Sequence, residues 1–123
     1  MNNNEAARHK LIVFKVKDIS GIPSRFNTNF DFQANRTTSG IINIQEFKED
    51  FVMELEEDDD EITVYVNPRA DGTSHDAKLS IPLSMMANGE RIEKYFNLPE
   101  IISDDPAGAV ICLQFQLVYS QLE

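Results

Sequence analysis

Residues 47–66 read FKEDFVMELEEDDDEITVYV, and this stretch decides the predicted fold. Apolar side chains recur at every second position in residues 47–55, apart from Glu49, and again in residues 62–66. Between them lies a run of acidic residues, 56–61, which we call the acidic connection. Alternation with a period of two is typical of β-strands that have one buried face. We therefore predict two adjacent antiparallel strands, joined as a hairpin by the acidic connection.

The same alternation predicts six further strands beside this pair. They are residues 10–17, 26–34, 41–44, 78–83, 92–98 and 110–119. Turn residues separate these segments, and no stretch of ten or more residues has a helical period. Short strands with regular turn residues predict an all-β antiparallel sandwich. The Asn-rich residues 1–9 are expected to form a flexible N-terminal arm, and residues 10–123 a single domain.

The charge balance narrows the classes of function. The chain has 11 Lys and Arg residues against 21 Asp and Glu residues, which gives a formal net charge of −10. Nucleic acids and anionic membranes are bound mainly through Lys and Arg, so a nucleic acid is not an expected partner and a purely electrostatic membrane anchor is disfavoured. The single cysteine, Cys112, and the absence of a leader-like segment in residues 1–5 favour a cytoplasmic location. No apolar run approaches the roughly 20 residues that span a bilayer.

The order of the strand motifs resembles that of a C2 domain. LIVFKV at residues 11–16 is similar to the opening strand of this family, and FKEDFVM at residues 47–53 is similar to its W-N-E-x-F-x-F strand. Four more segments follow in the family's order: ITVYV at 62–66 for L-x-V-x-V, AKLSIPL at 77–83 for G-x-x-x-I-P-L, YFNL at 95–98 for W-Y-x-L, and GAVICL at 108–113 for G-E-I-x-L. The resemblance covers nearly the whole chain from Lys10 and implies an eight-stranded antiparallel C2-like β-sandwich.

The chain departs from the family's calcium-binding motifs. Calcium-binding C2 domains use loop aspartates, because this hard cation takes about six to eight oxygen ligands. Where the family shows D-P-Y this chain has NTNF at 27–30, and where the family shows D-x-D it has NPRA at 67–70. Asp71 and Asp76 remain nearby, while Arg69 places a positive charge where a cation would bind. We therefore expect a calcium-independent domain with no metal and no cofactor.

Two acidic or mixed loops are candidate partner-binding sites. Residues 67–76 form the longest polar connection in the chain, and loops of this kind commonly carry binding residues. The first candidate set in this loop is Arg69, Asp71, His75 and Asp76. The second set lies in the acidic connection and consists of Glu57, Asp58, Asp59 and Asp60. The acidic connection can steer a basic partner, or it can be a solvated loop whose charge discourages edge pairing.

Two classes of binding function follow from the resemblance. Calcium-independent C2 domains often serve as protein-protein scaffolds or adaptors in cytoskeletal, centriolar, ciliary or trafficking assemblies, so a protein partner is expected. In other members a lysine-rich patch on a sheet face binds phosphoinositides. Lys15 and Lys17 are predicted to share one face of the first strand, which makes a peripheral membrane-binding module the alternative. An ordinary solvated strand face accounts for the same two lysines.

An enzyme is the least expected class. His75 next to Asp76 suggests a general base, but no nucleophile at a recognisable turn and no phosphate-binding glycine loop accompany the pair. Cys112 lies among apolar residues with no cation beside it in the sequence, so we predict a half-buried structural thiol.

Overall fold

The computed structural model describes residues 8–22, 27–46, 49–69, 74–86 and 89–121. Within them the β-strands are β1 Arg8–Ser20, β2 Asn29–Gln33, β3 Ile42–Asn43, β4 Phe51–Leu55, β5 Glu61–Val66, β6 Ala77–Pro82, β7 Ile92–Asn97 and β8 Val110–Gln121. Short 3-10 helices cover Ile44–Glu46 and Leu83–Met86. No helix in these residues is long and apolar enough to cross a membrane.

The strands form two antiparallel sheets of four. The first sheet has the order β4-β1-β8-β7, and the second has the order β3-β2-β5-β6. The longest strands, β1 and β8, pair with each other from Arg8 opposite Gln121 to Ser20 opposite Val110. Because each also pairs with an edge strand, β1 and β8 form the centre of the first sheet. This architecture confirms the predicted eight-stranded antiparallel sandwich.

The prediction that the strands flanking the acidic connection are hairpin neighbours is wrong. β4 pairs with β1 in the first sheet, whereas β5 pairs with β2 and β6 in the second. The acidic connection therefore crosses from one sheet to the other. Alternation identifies the face of a strand that is buried, but it carries no information about which strand lies beside it. The apolar faces of β4 and β5 belong to opposite sheets whose inner faces share the same core.

The strand limits differ from the predicted ones because β2 and β4 begin later, at Asn29 and Phe51, and β1 is longer. This strand passes through a bulge between Val16 and Asp18 and continues to Ser20, because the bulge restores pairing with β8. At its other end β1 begins at Arg8, so Arg8 and His9 of the predicted arm belong to a strand. Residues 1–7 of that arm, and residues 47–48 of the predicted central strand, lie outside the described residues.

The hydrophobic core lies between the two sheets. Phe14 of β1 and Phe32 of β2 come from opposite sheets, and their rings stack with centroids 3.9 Å apart. The fully buried residues include Phe30, Val64, Ile111, Leu113 and Phe115. They occupy alternate positions of their strands, as expected for sheets with one buried face. Each buried phenylalanine contributes about 1.5–3 kcal/mol relative to an exposed one.

The connections lie at two ends of the sandwich, as the strand registers require. One end carries the β1–β2, β3–β4, β5–β6 and β7–β8 connections, and we call it the Arg69 end. The opposite end carries the β2–β3, β4–β5 and β6–β7 connections together with the start of β1 and the end of β8. We call this one the acidic end, because the acidic connection crosses it.

Candidate functional site

The β5–β6 connection at the Arg69 end starts at Asn67. This residue has a φ of 51°, which asparagine tolerates better than most residues. Its side-chain oxygen accepts the Asn29 N–H at 2.9 Å, and its own N–H donates to the Asn29 carbonyl at 2.8 Å. Asn67 therefore fixes the start of the connection against the start of β2.

The guanidinium of Arg69 is hydrogen-bonded to oxygen atoms of the same connection. Its Nη2 lies 3.0 Å from Asp76 Oδ1, and its Nη1 donates to the Asn67 carbonyl at 2.8 Å. The Asn67 side-chain amide donates to the second carboxylate oxygen of Asp76 at 3.0 Å. Both oxygens of this carboxylate thus have donors from within the chain. A bound divalent cation would have to compete with these donors for the same oxygen atoms.

The structure brings only part of the first predicted set together. Arg69 and Asp76 form an ion pair whose side chains are 53% and 41% exposed, so we expect it to contribute at most about 1 kcal/mol. The His75 ring instead meets Tyr65 edge-on, with centroids 5.0 Å apart. Asp71 lies outside the described residues. Among those residues, no group of three or more His, Cys, Asp or Glu side chains is placed to hold a metal ion.

The acidic connection contains one buried residue, Asp59, among exposed neighbours. Asp59 is 3% exposed, and its carboxylate accepts the backbone N–H of Glu56 at 2.7 Å and that of Asn35 at 3.2 Å. The Lys10 ammonium donates to the carbonyls of Glu57 and Asp59. Asp59 therefore belongs to the structure of the turn. The exposed members of the predicted acidic set are Glu57, Asp58 and Asp60.

The face of the first sheet that points away from the core carries the two predicted lysines, and we call it the outer face. Lys15 lies opposite Gln114, and Lys17 is the bulged residue. The Lys17 ammonium donates to Glu93 Oε1 at 2.8 Å. Glu93 also accepts from the side chain of Gln114, at 2.8 Å. The charge of Lys17 is therefore offset within the chain.

A second ion pair bridges the outer face. Arg91 precedes β7 at one edge of the sheet, and Asp50 precedes β4 at the opposite edge. Their two N–O distances are 2.7 and 3.1 Å, and Arg91 Nη2 also donates to Gln114 Oε1 at 3.0 Å. Neighbouring strands lie about 4.8 Å apart, so the edge strands are about 14 Å apart along the sheet. The pair thus joins the two edges over the central strands.

These two ion pairs shift pKa values of their side chains in the direction that favours the charged forms. The hydrogen bond from Arg91 lowers the pKa of Asp50. The hydrogen bond to Glu93 raises the pKa of Lys17, and the same bond lowers the pKa of Glu93. Lys17 and Arg91 therefore keep carboxylate partners across the neutral range.

Cys112 lies on the same side of the first sheet and is 2% exposed. It is opposite Tyr95 in the register, and Tyr95 is 71% exposed. Burial raises the pKa of the Cys112 thiol. The thiol is therefore more buried than the half-buried one that the sequence predicted.

Sequence reasoning missed the bridge between Arg91 and Asp50. The two residues are far apart in the chain, and each stands just before a strand in a polar segment. Their contact depends on the order of strands in the first sheet, which alternation does not reveal. The predicted pairing of β4 with β5 would have placed Asp50 elsewhere.

Comparison with known proteins identifies the fold. No protein-family model and no curated protein matches the chain. A structure of two C2 domains of Extended-Synaptotagmin 2 superposes with a TM-score of 0.62 at 17% identity, over 98% of this chain and 44% of that one. The calcium-bound form of the same domains gives the same TM-score and identity over 93% of this chain. A C2 domain-containing protein from a putative elicitor-responsive gene gives a TM-score of 0.54 at 16% identity, over 88% of each chain.

The chain therefore has a C2-like β-sandwich fold, as the resemblance of its motifs implied. It spans less than half the length of the Extended-Synaptotagmin 2 chains that it matches, 29% of the one that also includes the SMP domain.

Proposed function

We propose that this chain is a C2-like interaction module that binds protein partners without calcium, as a scaffold or adaptor. The observation that carries the proposal is the Arg69 guanidinium, bonded to Asp76 and to the Asn67 carbonyl. It lies in the connection that supplies aspartate ligands in calcium-binding C2 domains. A fixed positive charge repels a divalent cation there, and both carboxylate oxygens of Asp76 already have donors.

The paired charges of the outer face favour a protein partner over a lipid surface as the ligand. Anionic membranes attract clusters of Lys and Arg at about 1 kcal/mol per residue. On this face Lys17 and Arg91 each pair with a carboxylate of the chain, and the chain as a whole carries a net charge of −10. The partner-binding residues that we propose are the loop set Arg69, Asp71, His75 and Asp76, with the acidic connection second.

Thermal unfolding with and without calcium tests the calcium-independent part. A ligand that binds only the folded state raises the unfolding midpoint, and a site filled a hundredfold above its Kd adds about 2.7 kcal/mol. We expect the same midpoint in millimolar calcium and in EDTA. The matched variant is N67D/R69D, which restores the D-x-D pattern and removes the guanidinium. A calcium-dependent rise in the natural chain, reversed by EDTA, would overturn the proposal.

Vesicle co-sedimentation separates the protein-binding function from the phosphoinositide-binding alternative. The chain is mixed with neutral vesicles and with vesicles that contain phosphatidylserine and a phosphoinositide, in EDTA. We expect no enrichment on the anionic vesicles. Enrichment that disappears in the K15E/K17E variant would establish the membrane-binding alternative in place of the scaffold.

A charge swap tests whether the Arg69 end is the partner site. The R69D/D76R variant keeps an ion pair but inverts the position of each charge on the surface. We expect it to keep the unfolding midpoint within a few degrees, since an exposed pair contributes at most about 1 kcal/mol, and to lose partners captured by the natural chain. Unchanged capture by the swapped variant would exclude this surface.

A further inference from the structure

A cleft of about 570 Å³ opens at the acidic end of the sandwich. One wall comes from the central strands of the first sheet and contains Lys10, Leu117 and Tyr119. The other wall comes from the second sheet and the two connections beside it. Its residues are Asp59, Asp60, Glu61, Pro82, Leu83 and Ser84. The pairing of β1 with β8 continues to Arg8 and Gln121, past the level at which Lys10 contacts the acidic connection.

The lining of the cleft combines apolar side chains with exposed carboxylates. Leu83 and Leu117 are 5% and 7% exposed and form part of the core, while Tyr119 on the wall is 49% exposed. Asp60 and Glu61 in this lining are exposed. Lys10, the cation among the lining residues, donates its ammonium to backbone carbonyls of the acidic connection.

We propose that this cleft binds an extended segment of a protein partner in which Lys or Arg residues flank an apolar residue. The proposal rests on the second surface of the proposed function, the acidic connection, and names the kind of partner that binds there. The apolar side chain would contact the exposed parts of Pro82 and Tyr119, and tyrosine often anchors interfaces. The flanking cations would face the exposed Asp60 and Glu61, while the Lys10 ammonium is hydrogen-bonded to the carbonyls of Glu57 and Asp59.

Charge complementarity favours a basic protein segment over an anionic lipid surface or a nucleic acid. An anionic lipid surface or a nucleic acid would be repelled by the exposed carboxylates of the lining and by the net charge of the chain. A basic segment would be attracted at long range and then held by the cleft at short range, which favours rapid association and correct register. The volume lies in the range of cavities that hold small ligands, about 300–1,000 Å³, so it admits a few side chains.

Fluorescence anisotropy with a labelled KKLLKK peptide tests the proposal on the full chain. The comparison peptides are KKSSKK, which lacks the apolar residues, and EELLEE, which reverses the charge. We expect saturable binding of KKLLKK and at least about tenfold weaker binding of both comparison peptides. Equal binding of KKLLKK and KKSSKK would overturn the proposal, because it would show attraction by charge without use of the cleft.

Two variants of the chain separate the cleft from the general negative charge. D60N/E61Q removes both exposed carboxylates of the lining, and E49Q/D104N removes two exposed carboxylates at the Arg69 end. We expect the first to weaken KKLLKK binding by at least about tenfold and the second by less than about twofold. Equal weakening by both variants would overturn the proposal.

A steric variant tests the cleft without changing charge. S84W places a bulky side chain on the wall at an exposed position, and we expect it to abolish KKLLKK binding with an unchanged unfolding midpoint. Undiminished binding by S84W would overturn the proposal. Concentration-dependent dimerisation that S84W abolishes would assign the cleft to a second copy of the chain instead. None of these results depends on calcium, so a failed cleft and a failed calcium-independent function are distinguishable.

Discussion

At the scale of single residues, Gly21 directly follows β1 and has a backbone conformation that other residues rarely adopt. Its φ is 73°, and a Cβ built on it would overlap the carbonyl oxygen of Gly108 in the β7–β8 connection. The two connections can approach this closely because Gly21 has no side chain. Gly21 thus joins the end of β1 to the turn that starts β8.

We predict that G21A destabilises the fold by more than G40A. Gly40 has a similar φ of 75°, but a Cβ on it would meet nothing within 4 Å. G40A therefore measures the cost of the left-handed conformation alone, about 1–2 kcal/mol, and G21A adds the cost of moving the Gly108 carbonyl. Urea unfolding of both variants gives the two free energies of unfolding. Equal losses would show that the contact with Gly108 has no energetic role.

The acidic connection shows, at the scale of elements, how much of the fold the sequence predicts. The local sequence pattern located all eight strands, including β7, which contributes only the partly buried Ile92 and Phe96 to the core. It did not locate their neighbours, and the two strands around the acidic connection proved to lie in different sheets. The burial of Asp59 was also unpredictable, since it differs from Asp58 and Asp60 in contacts and not in residue type.

We predict that D59N destabilises the chain while D58N does not. The Asp59 carboxylate accepts two backbone N–H groups, and an asparagine amide can accept with its oxygen while its NH2 group meets the other donor. A donor left unpaired in a buried turn costs about 1–3 kcal/mol. Asp58 is exposed, so D58N should change the free energy of unfolding by less than about 0.5 kcal/mol. Similar losses in both variants would show that Asp59 acts through general charge.

At the scale of the whole molecule, the candidate sites occupy different parts of one sandwich. Arg69 and Asp76 could be proposed from the sequence because they are close in the chain, in the connection that resembles a calcium-binding loop of the family. The cleft could not, since Lys10, Leu83 and Leu117 come from three distant segments. The outer face could be predicted in part. The sequence placed Lys15 and Lys17 on one face of a strand. The carboxylates that pair with Lys17 and Arg91 could not be predicted, because these contacts depend on strand order.

The bridge between Arg91 and Asp50 makes a prediction that concerns the whole first sheet, because it joins the two edge strands. The pKa of Asp50 is lowered in the folded state by its hydrogen bond to Arg91. A lowered folded pKa stabilises the fold above the unfolded pKa, about 3.9 for aspartate, and this contribution is lost as the pH falls through the folded value. A double-mutant cycle of R91Q and D50N, measured by urea unfolding, should therefore give a favourable coupling near neutral pH. That coupling should decrease towards about pH 3, and concentrated salt should weaken it at neutral pH, because both side chains are partly exposed. A coupling that is the same at both pH values would mean that Arg91 and Asp50 interact through packing or with uncharged groups, and that the bridge is not an ion pair in solution.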